Sequence, residues 1–378
     1  MILMRSNRPD GAVPVSLCIM RHRIFLFACV LSATAFASPT DDLKASALGI
    51  LKAQSAVDGG AVSDFSVDAE VATLDRLIGN AELNDNGLTI ARFYRARAAL
   101  LVNQVRVSNR QKPDAEAARR SLADFDWVIE RNTDLPPVGI TVADTAYSAG
   151  VVARNYLDAQ PLAYAYWEKC AQREHAGCLN IMASARITGE GGVKVDVADA
   201  LELHRKVYAT GTGFNCAGAY SALAAAQIIY FSANMQVTVG ELDWMKRADL
   251  LLDQLAAERA LKNPCNRARF KVTEYLLRLE RDEVRRDLLE AALRLAEQPE
   301  EKATAGYLLG SVSEAAFRDV AAKGTDKDAV CDMHFAAFWH ALIRKDPKRS
   351  QDHDQAMSGL GRDHCSFQLA LARMKYRR

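Results

Sequence analysis

The chain has almost no net charge. Lys and Arg number 48 against 47 Asp and Glu in 378 residues, a formal charge of +1. A chain so balanced lacks the electrostatic footprint of a nucleic-acid binder, and no patch of one sign stands out. Beyond the first 37 residues it has no apolar run long enough to span a bilayer. Alternating runs of strand type are nearly absent. VGITV (138–142) is the best of them, and it is short enough to be a loop or the lead-in to a helix. No G-x-S-x-G elbow and no H-E-x-x-H helix occurs. GEGG (189–192) has no strand before it and no Lys-Ser/Thr after it, so it reads as a turn between helices rather than a phosphate cradle.

The N-terminal residues read as a targeting segment. Arg21 and Arg23 precede the apolar run IFLFACVLSATAFA (24–37), which ends on small residues with Ala35 and Ala37 in A-x-A spacing. This is the pattern of a secretory signal peptide at 20–37, cleaved after Ala37. Residues 1–19 are then an upstream extension ahead of a start at Met20, and 38–378 is the mature domain. A membrane anchor would need a longer run. A lipoprotein box at LFAC (26–29) is disfavoured by the bulky Phe27 and the early Cys29. The mature chain would carry 44 basic and 46 acidic residues, hence −2, and six cysteines. An even cysteine count in an exported chain reads as disulfides.

Proline is sparse and punctuates the rest. Pro39, Pro113, Pro136, Pro137, Pro161, Pro264, Pro299 and Pro347 each fall at the edge of an apolar-periodic segment. LTIARFYRARAALLV (88–102), RADLLLDQLAAERAL (247–261) and RRDLLEAALRLAE (285–297) carry apolar residues every three or four positions, the period of a helix with one buried face. Mixed charges, as in LERDEVRRD (279–287), suit solvated helix faces rather than catalytic pairs. Trp127, Trp167, Trp244 and Trp339 lie within amphipathic segments, where core packing is the default. The expected fold is all-α, with about fourteen helices joined by short loops.

Cys170 and Cys178 stand eight apart in YWEKCAQREHAGCLN (166–180). In one continuous helix they would be about 12 Å apart along the axis, whereas a disulfide needs Cα atoms within roughly 7 Å. If the two are bonded, the chain turns back within REHAG, with Gly177 available for an unusual backbone angle. A metal site with His175, a redox pair, or two unpaired core thiols are the other readings.

Several segments resemble helical repeats. SLADFDWVIERN (121–132) looks like the second helix of a tetratricopeptide repeat, although Ser121 and Val128 stand where alanine is usual and Thr133 where proline is. ADTAYSAGVVARNYLDA (143–159) looks like a first helix with Gly150 at the close-packing small position. The most specific stretch lies within 161–216. Trp167-Glu168-Lys169, then Gly192-Val193, Asp196 and Ala200, resemble a Sel-one-like repeat, with Gly191 one glycine more than that pattern has. The resemblance implies a right-handed α-solenoid of antiparallel helix pairs. It also implies a kinship with secreted cysteine-rich solenoids, in which C-x7-C crosses each helical hairpin, as Cys170 and Cys178 would. In such a stack Cys216 and Cys265 begin neighbouring second helices, which makes them the second expected pair. Cys331 and Cys365 follow by elimination among fifteen possible pairings.

The expected function is that of an exported scaffold binding a protein or peptide in the groove of the stack. Taking Gly150 as the close-packing position, the resemblance places Asp144, Tyr147, Arg154 and Asn155 on the groove side. No cofactor, nucleic acid or membrane span is expected. Some cysteine-rich relatives are linked to β-lactam binding or hydrolysis, which offers a cell-wall enzyme as the alternative. No Ser-x-x-Lys nucleophile occurs here to serve it. A structural zinc site is a further alternative, written as Cys331 and His334 with His364 and Cys365. His340 and His353 fall in the same region.

Overall fold

The computed structural model describes residues 39–58, 66–79, 83–209, 216–232, 240–259 and 267–376. Among these residues there are seventeen α-helices and no strand. They are α1 (Pro39–Asp58), α2 (Asp68–Gly79), α3 (Asp85–Ser108), α4 (Ala115–Arg131), α5 (Val142–Leu157), α6 (Gln160–Ala171), α7 (Ala176–Thr188), α8 (Val197–Ala209), α9 (Ala217–Phe231), α10 (Glu241–Arg259), α11 (Arg267–Leu279), α12 (Arg286–Leu295), α13 (Pro299–Leu309), α14 (Glu314–Lys323), α15 (Lys327–Ile343), α16 (Pro347–Leu360) and α17 (Arg362–Tyr376). The fold is all-α, and helices pack on their neighbours in chain order, as in an α-solenoid. VGITV supplies no strand. Pro136–Val138 is a 3-10 turn, Leu135 and Ile140 form one isolated bridge, and Val142 opens α5.

The helix ends follow from local chemistry. Asn84, Asp114, Thr141, Ser313, Asp326 and Asp346 accept hydrogen bonds from first-turn N–H groups that have no partner within the helix. Pro161, Pro299 and Pro347 occupy first-turn positions of α6, α13 and α16, where a missing N–H costs nothing. Two of the helices beyond the expected fourteen had weak signals. α16 is PKRSQDHDQAMSGL, with little apolar periodicity. α13 ends on the left-handed Gly310, after which only three residues separate it from α14.

The chain divides into two compact units, one comprising Met1–Met182 with Glu190–Gly192 and the other Ala183–Gly189 with Val193–Arg378. In the first, α1 packs on α2, α3 on α4 and α5 on α6. The first helices α1, α3 and α5 also touch in sequence and form a layer of their own. Small residues permit the close approach. A Cβ on Gly150 would lie 2.2 Å from Nε1 of Trp167, so the indole rests directly on the α5 backbone. Its Nε1 donates to the Tyr147 carbonyl at 3.3 Å.

In the second unit the odd-numbered helices do more than stack. α9 touches α11, α11 touches α13, α13 touches α15, α15 touches α17, and α17 returns to α9. Aromatic rings fill this closed ring: Trp339 meets Tyr230 at 4.6 Å and Phe231 at 4.9 Å, and Phe231 meets Phe335 at 5.5 Å. Trp167, Trp244 and Trp339 are fully buried, as expected. Trp127 is the exception. It is half-buried, with the Arg131 guanidinium 4.1 Å and the Arg92 guanidinium 4.9 Å from its ring centre.

Cys170 and Cys178 are bonded, with Cα atoms 5.8 Å apart, across the turn between α6 and α7. Gly177 is not the unusual residue of that turn. Glu174 takes the left-handed conformation at φ 59°, and Gly177 lies in the first turn of α7. Cys331 and Cys365 join α15 to α17. Cys216, at the start of α9, is disulfide-bonded as well, but the expected pairing with Cys265 lies outside the described residues. Closing loops of 8 and 34 residues contributes on the order of 2–3 and 3–4 kcal/mol in the chain-entropy account.

The loop after α7 is a turn, as expected. Gly189, Gly191 and Gly192 all take positive φ. A Cβ on Gly191 would fall 1.9 Å from the Tyr164 ring, which shows why the additional glycine is tolerated only as glycine. Asp196 accepts from the Asp199 N–H at the start of α8, and Ala200 is buried one turn on. The D-x-x-x-A spacing is thus a helix cap followed by a packing position.

Candidate functional site

The four expected groove residues lie on α5, each half-buried. Asp144 and Tyr147 are engaged by the disulfide-closed turn. His175 caps α7, its Nδ1 accepting from the Cys178 N–H at 3.3 Å. That leaves Nε2 to carry the proton and donate toward Asp144 Oδ1, 3.3 Å away. The His175 ring packs on Tyr147 with centroids 5.2 Å apart, and burial pushes the Tyr147 hydroxyl up to about 12. A Cβ on Gly177 would meet both rings, at 3.1 and 3.2 Å. Arg154 places its guanidinium 5.9 Å from the Trp167 ring centre. Asn155 follows it at the end of α5.

The same layer contains a residue that the sequence reading passed over. Arg97, on α3, is buried and its pKa is lowered by desolvation. The charges of Tyr94, Asp58 on α1 and Asp144 on α5 act in the opposite direction. Gln54 donates to Asp58 at 2.8 Å. The charges of Asp58 on α1 and Asp144 on α5 thus both act on Arg97 of α3, and Asp144 in turn lies 3.3 Å from His175. The signal was present in the sequence. Arg97 stands at helical spacing with Phe93, Tyr94, Leu100 and Leu101, in the middle of an apolar stripe where a cation needs a partner.

Cys170, His175 and Cys178 bring potential ligand atoms within 4.8 Å of one another, the metal-type grouping expected as an alternative to the staple. In this structure both sulfurs are committed to the disulfide.

The C-terminal histidines do not converge on the cysteines. Cys331 and Cys365 are bonded to each other. His334 turns instead to His353, with the two Nδ1 atoms 3.1 Å apart and one proton shared between them. His364 Nδ1 meets Asp328 at 2.8 Å. His353 is fully buried, with Nε2 4.0 Å from Glu314 and without a hydrogen bond among the described residues. Glu314 accepts from Tyr307 at 2.6 Å and Arg318 at 2.7 Å. Burial lowers both histidines of the pair, His334 to about 4.

His204 on α8 is a simpler case of the same physics. It is buried, neither ring nitrogen has a hydrogen-bond partner among the described residues, and desolvation lowers it to about 4. The unfolded imidazole titrates near 6.5, so between about 6.5 and 4 the unfolded chain binds the extra proton. Stability is therefore fully present above pH 6.5 and falls as the pH drops toward 4. Urea unfolding at pH 7.5 and pH 5 should show a lower midpoint at pH 5. His204→Leu should shrink that difference. An unchanged pH dependence would mean that His204 titrates normally in the folded chain.

No family model matches the chain, and comparison with curated proteins finds no match. No helix among the described residues is long and apolar enough to cross a membrane.

Proposed function

We propose that this chain is an exported helical-repeat scaffold of the tetratricopeptide and Sel-one-like type, which binds a protein or peptide along the first-helix layer of its first unit. The observation that carries this reading is the layer itself. α1, α3 and α5 touch in sequence, the arrangement from which repeat proteins present a continuous binding face. In the second unit the equivalent space is taken up by α15 and α17 with their aromatic core. On α5, Arg154 and Asn155 are half-buried like Asp144 and Tyr147, but Asp144 is engaged by His175 and Tyr147 packs on the His175 ring. Export after cleavage at Ala37 is supported by the residue pattern of 20–37 and by oxidised cysteines, which persist in oxidising compartments.

Photo-crosslinking from position 155 in the exported protein tests the reading. A discrete adduct is expected, weakened several-fold by Arg154→Glu, since reversal of a contact charge acts directly on association. The same probe at Lys323, in the second unit, should give none. An adduct indifferent to Arg154→Glu, or equally strong from Lys323, would refute the assigned face.

A further inference from the structure

A cleft of about 380 Å³ opens in the second unit, at the ends of several helices. Arg286, Arg344, Arg349, His340, Tyr275 and Tyr307 supply its polar groups. Val284, Leu289, Leu308, Leu309 and Val312 supply apolar wall, and among the described residues no Asp or Glu lines it. We infer that this cleft binds a small organic anion, a phosphate monoester or carboxylate carried on a ring or apolar body.

Two of the arginines stand where the helix dipole disfavours a cation, and Arg344 stands at the C-terminal end of α15. Arg286 is the first residue of α12 and Arg349 the third of α16. A helix N-terminus carries positive partial charge, so a cation in the first turn is disfavoured unless an anion joins it. Exposed arginines are ordinarily balanced by carboxylates. Here Arg286 reaches only the Leu309 carbonyl, at 3.5 Å, and Arg344 has no ion pair among the described residues. Arg349 has one partner, Asp346, at 3.4 Å, which does not line the cleft. Three guanidiniums thus share one concavity with no negative charge in its wall. Guanidinium is the side chain best matched to planar or tetrahedral oxyanions. The volume is that of a metabolite-sized pocket, and the apolar wall gives a ring somewhere to rest.

His340 reports the same field. Burial lowers it to about 4, and repulsion from Arg344 on its own helix and Arg349 on α16 adds to the shift. Arg286 from α12, Tyr275 from α11 and Tyr307 from α13 complete the groups around the cleft, and none is an acid. An anion between the arginines offsets that repulsion, so binding must raise the pKa of His340. By linkage, protonation of His340 strengthens binding wherever the ligand keeps its own negative charge.

The test is calorimetric titration of the purified protein with phenyl phosphate, benzoate, inorganic phosphate and phenol. Binding by phenyl phosphate or benzoate is expected, the stronger of the two identifying the oxyanion preferred. Inorganic phosphate and phenol should each bind at least several-fold more weakly, for want of the ring or the charge. Arg344→Ala and Arg286→Ala should each weaken binding about tenfold, as expected for loss of a charge-assisted hydrogen bond. Both residues are exposed, so unfolding temperatures should hold. The His340 ring resonance in the unaltered protein should titrate at higher pH once ligand is present, a readout that needs no variant. The inference is overturned by absence of binding at 10 mM, by affinities indifferent to both substitutions, by phenol or inorganic phosphate binding as tightly as the organic anions, or by a His340 titration that ligand leaves unchanged.

Discussion

Trp167→Ala should lower the unfolding free energy by about 3–5 kcal/mol, the range for emptying a buried aromatic site. The indole is fully buried, meets Tyr164 edge-on at 5.1 Å, and lies against Gly150 where any Cβ would collide with it. It also lies in the second half of α6, three residues before Cys170. The partner experiment is Gly150→Ala. In the unaltered protein it should destabilise by about 1–3 kcal/mol through overpacking. In the Trp167→Ala background the new methyl meets a vacated space. There the intrinsic preference of a helix interior for alanine over glycine, about 1 kcal/mol, should reverse the sign. Urea unfolding of the four proteins measures the coupling. Additive effects would mean that the close approach of α5 and α6 is not what requires glycine.

Asp124→Ala should cost about 3 kcal/mol. The carboxylate is almost wholly buried between α3 and α4 and accepts from Arg95 Nε at 2.7 Å, Arg95 Nη2 at 2.8 Å and Arg92 Nη1 at 2.9 Å. Removing one member of a buried ion pair costs about 3–5 kcal/mol because the other charge loses its partner. Both arginines keep about a quarter of their side chains exposed, at 25% and 26%, which lets water take over some of that charge and argues for the low end. Arg92 also stacks on Trp127, so Trp127 fluorescence should change in the variant. Since the pair is shielded, the loss should persist in 0.5 M salt, unlike that of a surface pair. A loss below 1 kcal/mol, or one that vanishes in salt, would show that the three residues behave as a surface cluster.

Much of the local structure could be read directly. Pro161, Pro299 and Pro347 stand at helix starts, Gly150 lies where a Cβ would collide with Trp167, and Asp196 and Ala200, named by the repeat resemblance, are a helix cap and a packing position. The eight-residue cysteine spacing marked a hairpin because a straight helix cannot bring the two residues together. These features depend on residues close in the chain, where backbone geometry limits the choices.

The site was less legible. The residues around Asp144 and Tyr147 include His175, from a turn beyond α6, and Arg97, from two helices earlier, and no local pattern announces either as their neighbour. The zinc arrangement failed for a similar reason. His334 and His364 point at His353 and Asp328, partners nineteen and thirty-six residues away that no spacing rule selects.

Residue order alone determined that this chain is helical, where most helices begin and end, and which two cysteines close a hairpin. Each of these follows from periodicity and from local steric or hydrogen-bonding rules. Tertiary structure decided what each apolar stripe is buried against. It brought α17 back to α9, filled the second unit with aromatic rings, and gathered Arg286, Arg344 and Arg349 around one cleft. A stripe states that a helix face must leave water. Hydrophobic burial has no direction, so only the packing of the whole unit selects the partner.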